Sequence, residues 1–149
     1  MSKKFKILIL AGIVVLFFFS LYLALRSGDT NTQTPVENTV ILQGKGGQVQ
    51  SKDFSSNVLE KSGDTWVLAN NENFSIIYYE KDQSFTINLF SKPLSEARSK
   101  AEDKLLSLLN LDFAQACKLN LSVFVPFEVD ETYAGQDLGL SFCPNSLSL

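Results

Sequence analysis

The stretch Phe74–Phe90, FSIIYYEKDQSFTINLF, decides the fold. Phe74 to Glu80 is dense in β-branched and aromatic residues, and Lys81-Asp82-Gln83 is a polar turn. From Ser84 to Phe90, Phe85, Ile87 and Leu89 alternate with Thr86 and Asn88. Period-two alternation marks a strand with one buried and one wetter face. Upstream, Thr65–Ala69 (TWVLA) is a third run of strand formers, set off by the turn cluster Asn70-Asn71-Glu72-Asn73. Three strands joined by short turns predict an antiparallel meander.

Working downstream, Pro93 opens a helix, where its missing N–H costs little. Leu94, Ala97, Ala101, Leu105 and Leu108 recur at spacings of three and four, so they form one stripe that packs on the sheet. Glu96, Arg98, Lys100, Glu102, Asp103 and Lys104 are expected on the solvated side, with Glu96 and Lys100 in the favourable i,i+4 order. Asn110 suits a left-handed helix end, and Asp112 suits the cap of a short helix over Phe113–Lys118. Leu121, Val123, Val125 and Phe127 then share one face of another strand, ended or edged by Pro126. After a loop over Glu128–Asp137, Leu138, Leu140 and Phe142 form the inner face of a last strand. The expected domain is α+β, an antiparallel sheet with one main helix on one face.

Val40–Leu42 suits a short strand, broken by Gly44-Lys45-Gly46-Gly47, which reads as a flexible turn rather than a phosphate loop because it lacks the P-loop spacing. Residues 48–63 carry too few apolar positions to assign. Ser27–Thr39 is polar and turn-rich, a flexible tether. The well-defined part of a domain over 40–149 is therefore 64–144.

The N-terminus sets the topology. Ile7–Leu25 is an uncharged run of 19 residues; as a helix it reaches roughly 28 Å, the thickness of a bilayer's hydrocarbon core. Lys3, Lys4 and Lys6 precede it and only Arg26 follows, so residues 1–6 are expected in the cytoplasm and the segment after the span outside. The competing reading is a cleaved signal peptide, but the run exceeds an ordinary h-region and no small-x-small site follows it. The chain is thus read as membrane protein, single-pass, with residues 7–25 as a transmembrane helix, 26–39 as linker and 40–149 extracytoplasmic.

Charge and composition exclude whole classes of function. Beyond Arg26 there are nine Lys and Arg against sixteen Asp and Glu, a net charge of −7. Such a domain repels nucleic acid and anionic bilayer surfaces. There is no histidine, which removes Ser-His-Asp and Cys-His catalysis and His-ligated zinc. Carboxylate pairs remain conceivable for acid–base work: Glu80 with Asp82, and Glu128, Asp130, Glu131 and Asp137. All sit in turns or loops, where solvated charge is the ordinary state, and the 128–137 loop lacks the ordered spacing of a calcium site. No catalytic, metal-binding or cofactor-binding residue is assigned, and no cofactor is expected.

Cys117 and Cys143 are the only cysteines. A hairpin pairing Asn120–Phe127 with Leu138–Cys143 brings the short helix's end towards Cys143, within disulfide reach. Two buried thiols are the alternative. For binding, Tyr78 and Tyr79 point to opposite faces of their strand. One enters the core; the other, with Ile77 and Phe90, is a possible interaction surface unless residues 40–63 cover it. Tyr133, on the 128–137 loop, is a further candidate anchor.

In layout and in the stretches NFSIIYYEKDQSFTINLF, PLSEARSKAEDKLL and YAGQDLGLSFC, the chain resembles small, uncharacterised, single-pass anchored proteins of candidate-phylum bacteria. The resemblance implies a bacterial envelope setting and carries no functional residues. The leading expectation is a non-catalytic, membrane-anchored interaction module with a protein partner in the cell envelope. The alternatives are an extracytoplasmic ligand- or glycan-binding domain and a carboxylate-based hydrolase.

Overall fold

A computed structural model describes residues 38–149. The expected span at 7–25, the basic segment 1–6 and nearly all of the linker lie outside the described residues. Among the described residues no helix is long and apolar enough to cross a membrane.

The chain runs through β1 (Thr39–Gly44), β2 (Gly47–Lys52), a 3-10 turn (Ser55–Asn57), β3 (Glu60–Ser62), β4 (Thr65–Asn70), β5 (Phe74–Tyr79) and β6 (Ser84–Leu89). Helix α1 (Leu94–Leu109), helix α2 (Phe113–Ala116) and β7 (Asn120–Phe124) follow. The domain is α+β, with a two-stranded sheet β1-β2 and a five-stranded sheet in the order β3-β4-β5-β6-β7. The meander forms as its alternation requires: β3 through β6 pair antiparallel, with Ile76 opposite Ile87 and Ile77 opposite Thr86.

One face of that sheet is the core. Phe74, Ile76, Tyr78, Phe85, Ile87 and Leu89 are buried on it, and α1 packs over β5 and β6. The helix buries the apolar stripe its spacing dictates, from Leu94 through Ala97, Ala101 and Leu105 to Leu108. Its end is also as read: Asn110 is left-handed at φ 51° and ψ 51°, and the backbone N–H of Leu111 reaches back to the carbonyl of Leu106 at 3.2 Å. Asp112 caps α2 in a reciprocal capping box with Gln115.

The first part of the segment 40–63, through Phe54, packs on the core face, and Glu60–Ser62 extends the sheet as an edge strand. β1 and β2 form a hairpin in which Leu42 pairs with Val49, and both side chains are buried. Phe54 is 3 % exposed and meets Tyr78, Phe85 and Trp66 edge-on, at ring separations of 5.0, 5.8 and 6.1 Å. The Ser51 hydroxyl is buried and lies 3.2 Å from the carbonyl of Leu109, one of the orphan acceptors at the end of α1. β2 escaped the sequence reading because GQVQSK offers only Val49 and Ser51 to the interior. The glycine turn is not a loose one either: the Gly46 N–H donates to the carbonyl of Lys118 at 3.0 Å, and a Cβ on Gly44 would collide with that same carbonyl.

Four expectations fail. β7 does not pair with a strand over 138–143. It joins the edge of β6 in parallel, with Phe85 opposite Leu121 and Ile87 opposite Val123. The sheet is therefore mixed, because α1 carries the chain back to the end from which β6 started, as a parallel neighbour requires. Residues 138–143 form no strand, although Leu138 and Leu140 are buried as expected. Phe127 lies beyond β7 and is exposed rather than on its inner face. Finally, Arg98 and Glu102 are not solvated; they are 4 % and 5 % exposed.

Candidate functional site

Because the helix and the hairpin pack on one face of the sheet, the other face is the place to look for contact residues. Strand alternation puts Ile77 and Tyr79 there, paired with Thr86 and Ser84 across β6 and with Val67 and Thr65 across β4. Parallel pairing adds Ser122 beside Thr86 and Phe124 beside Asn88. These residues are half-buried by their neighbours and not closed off. Phe90 continues the same alternation: its N–H donates to the carbonyl of Asn73 at 2.7 Å, and its ring is 38 % exposed. Ile77, Tyr79 and Phe90 share a face because the β5–β6 register sets Ile77 opposite Thr86, whose parity Phe90 continues.

The chemistry of this face is nearly uniform: Glu60, on the edge strand β3 opposite Val67, is the one charged residue among those paired on it. On β4 through β7 every residue paired on it is hydroxyl, amide, aliphatic or aromatic, and none is charged. The contrast with the segment's net charge of −7 is sharp. The cores of protein interfaces show the same depletion of charge and enrichment in aromatics, and Tyr with Ser and Asn is the palette of adaptable recognition surfaces. Sequence reading found Ile77 and Tyr79 but missed Val67, Thr86 and Phe124, whose membership depends on strand order.

Tyr133 does not join them. It packs against the core and lines a shallow groove of about 540 Å³ with Lys92, Pro93, Leu94 and Asp130, at the start of α1. There Lys92 bonds Asp130 at 2.9 Å.

The acidic residues are dispersed. Glu80 pairs with Lys61 at 3.3 Å. The hydrogen bond from Lys92 holds the Asp130 carboxyl below its ordinary range. Asp137 is pushed upward by partial burial, but hydrogen bonds from the Val123 N–H, Ser122 and the Gly139 N–H, with the charge of Lys45, outweigh this and lower it overall. Asp53 and Glu96 also move down, through hydrogen bonds from Ser55 and Lys100. Among the described residues, each of these four carboxyls moves towards the ionised form. Among the described residues no three His, Cys, Asp or Glu converge as metal ligands.

Cys117 and Cys143 form a disulfide with Cα atoms 5.6 Å apart. The hairpin invoked for it is absent; Cys117 closes α2 and Cys143 lies in a turn. The bond fastens residues 138–149, an irregular segment with a second, polar fastening. The Arg98 guanidinium donates to the carbonyls of Leu138, Gly139 and Leu147 at 2.9, 2.7 and 2.8 Å, and its Nε to Glu102 at 3.1 Å. Glu102 in turn accepts from both the backbone N–H and the hydroxyl of Ser141. These two side chains are a structural clasp, with every charged group paired.

The chain matches no family model, no curated protein and no solved structure.

Proposed function

We propose that this protein is a non-catalytic interaction module of the bacterial cell envelope, held by an N-terminal transmembrane helix with its folded domain outside the cytoplasm. The second face of the five-stranded sheet is its contact surface. The observation that carries the reading is the face of β4 to β7 around Ile77, Tyr79, Thr86 and Phe124, which carries no charge and meets one only at Glu60 on the β3 rim, on an otherwise acidic domain. A broad face of half-exposed side chains suits a macromolecular partner, whereas small ligands favour concave pockets.

The test is cross-linking of intact cells expressing a C-terminally tagged chain, followed by membrane solubilisation and mass spectrometry. A partner retained by the parent and by Tyr133→Ala, but lost in Tyr79→Ala and Thr86→Asp, supports the reading. Tyr133 serves as the control because it lies on the helix side. A partner that survives both face substitutions, or recovery of the chain alone, sinks it. If instead the purified chain binds glycans in a Tyr79-dependent way, the sheet face is a carbohydrate surface.

A further inference from the structure

β7 lies at one edge of the sheet, and a bare edge is a hazard because its N–H and C=O groups seek another strand. Here the edge is covered without a strand. The Val123 N–H donates to the Asp137 carboxylate at 2.8 Å, and the Val123 carbonyl accepts from the Leu138 N–H at 2.8 Å. Residues 137–149 thus act as a strap. No ladder holds it: its attachments are Leu138 and Leu140 in the core, the Arg98–Glu102 clasp, and the Cys117–Cys143 bond.

That bond is placed where a reagent can reach it. Both cysteines are half-exposed and line a groove of about 210 Å³ together with Lys45 and Asp137. A nearby ammonium favours the thiolate that leaves when a disulfide is attacked, while Asp137 is engaged by two backbone N–H groups.

We propose that residues 137–149 are a redox-latched strap: the disulfide keeps them over the β7 edge, and a dithiol reductant releases them and uncovers that edge. In the step, one thiolate of the dithiol attacks a cysteine sulfur and breaks the S–S bond. Its second thiol resolves the mixed disulfide. Two electrons and two protons pass to Cys117 and Cys143, which end as thiols, and the reagent ends as its own disulfide. An oxidising compartment keeps the strap shut.

The experiment is hydrogen exchange by mass spectrometry and NMR on the full chain in detergent, with and without dithiothreitol. The reporting amides are Val123, Leu138, Ser141 and Leu147, whose bonds run through the strap. Removing a cross-link that closes a loop with a sequence separation of 26 raises the open population roughly 100- to 1,000-fold in the chain-entropy model. The expected result is that these four amides lose protection together by about that factor while β5, β6 and α1 keep theirs. The double variant Cys117→Ser/Cys143→Ser must show the same pattern without reductant. Unchanged protection in the reduced chain overturns the proposal, and so does a uniform loss across the domain, which means the disulfide supports global stability and not a latch.

Discussion

Replacing Arg98 by methionine tests the clasp most directly. The substitution keeps a long unbranched side chain but removes four hydrogen bonds: one to Glu102 and three to the carbonyls of Leu138, Gly139 and Leu147. Glu102 remains 5 % exposed, with only Ser141 donating to it. Breaking a buried ion pair on one side costs about 3–5 kcal/mol, because the survivor is a buried charge without its counter-ion. For a domain of this size that is a large share of a total stability of about 5–15 kcal/mol. With a urea slope of about 1.5 kcal/mol/M, the unfolding midpoint should fall by roughly 2–3 M. The assay is urea titration of the full chain in mild detergent, followed by the fluorescence of Trp66, the single tryptophan. Because Trp66 packs against Phe54 and Tyr78, its emission reports the hairpin and sheet together. Arg98→Met/Glu102→Met should recover at least about 1–2 kcal/mol relative to Arg98→Met, since no lone charge is left inside. A loss below about 1 kcal/mol in the single variant, or strictly additive losses in the double, would refute the clasp.

Gly44→Ala should destabilise the domain by about 1–3 kcal/mol in the same titration, because the new methyl meets the Lys118 backbone and the hairpin tip must lift. Phe54→Ala should cost about 3–5 kcal/mol by emptying the centre of the aromatic cluster; a cost near zero would mean that the segment following β2 does not contribute to the core. Asp137→Asn should destabilise at neutral pH, and the sign follows from its lowered folded pKa. The carboxylate's contribution is full above its unfolded value and fades as pH falls through the folded one. Parent and variant curves should therefore converge in acid, and a gap that widens there would exclude the Asp137–Val123 bond as its source.

Much of the architecture was legible because it is local. Alternation in Ser84–Leu89 decides which side chains face inward whatever strand lies alongside, and the spacing of Leu94, Ala101, Leu105 and Leu108 decides the buried stripe of α1. Asn110 and Asp112 announce helix ends through their own backbone preferences. The same locality placed Ile77 with Tyr79 on one face of β5 and Phe90 with Thr86 and Asn88 on one face of β6; that the two faces coincide depends on the β5–β6 register.

What the tertiary structure decided is everything that depends on a distant partner. Leu121 and Val123 alternate identically in a hairpin with 138–143 or in a parallel ladder with β6, so only the path of α1 settles the pairing. GQVQSK becomes a strand because Thr39–Gly44 lies beside it, not because its residues demand one. The i,i+4 pair Arg98 and Glu102 has the pattern of a solvated helix face. It is buried because residues 138–149 cross it and supply the carbonyls and the Ser141 donors that satisfy both charges. Periodicity along a chain records how a residue is turned; what it is turned towards is set by segments far away in sequence, and that choice fixed both the strap and the open face of β4 to β7.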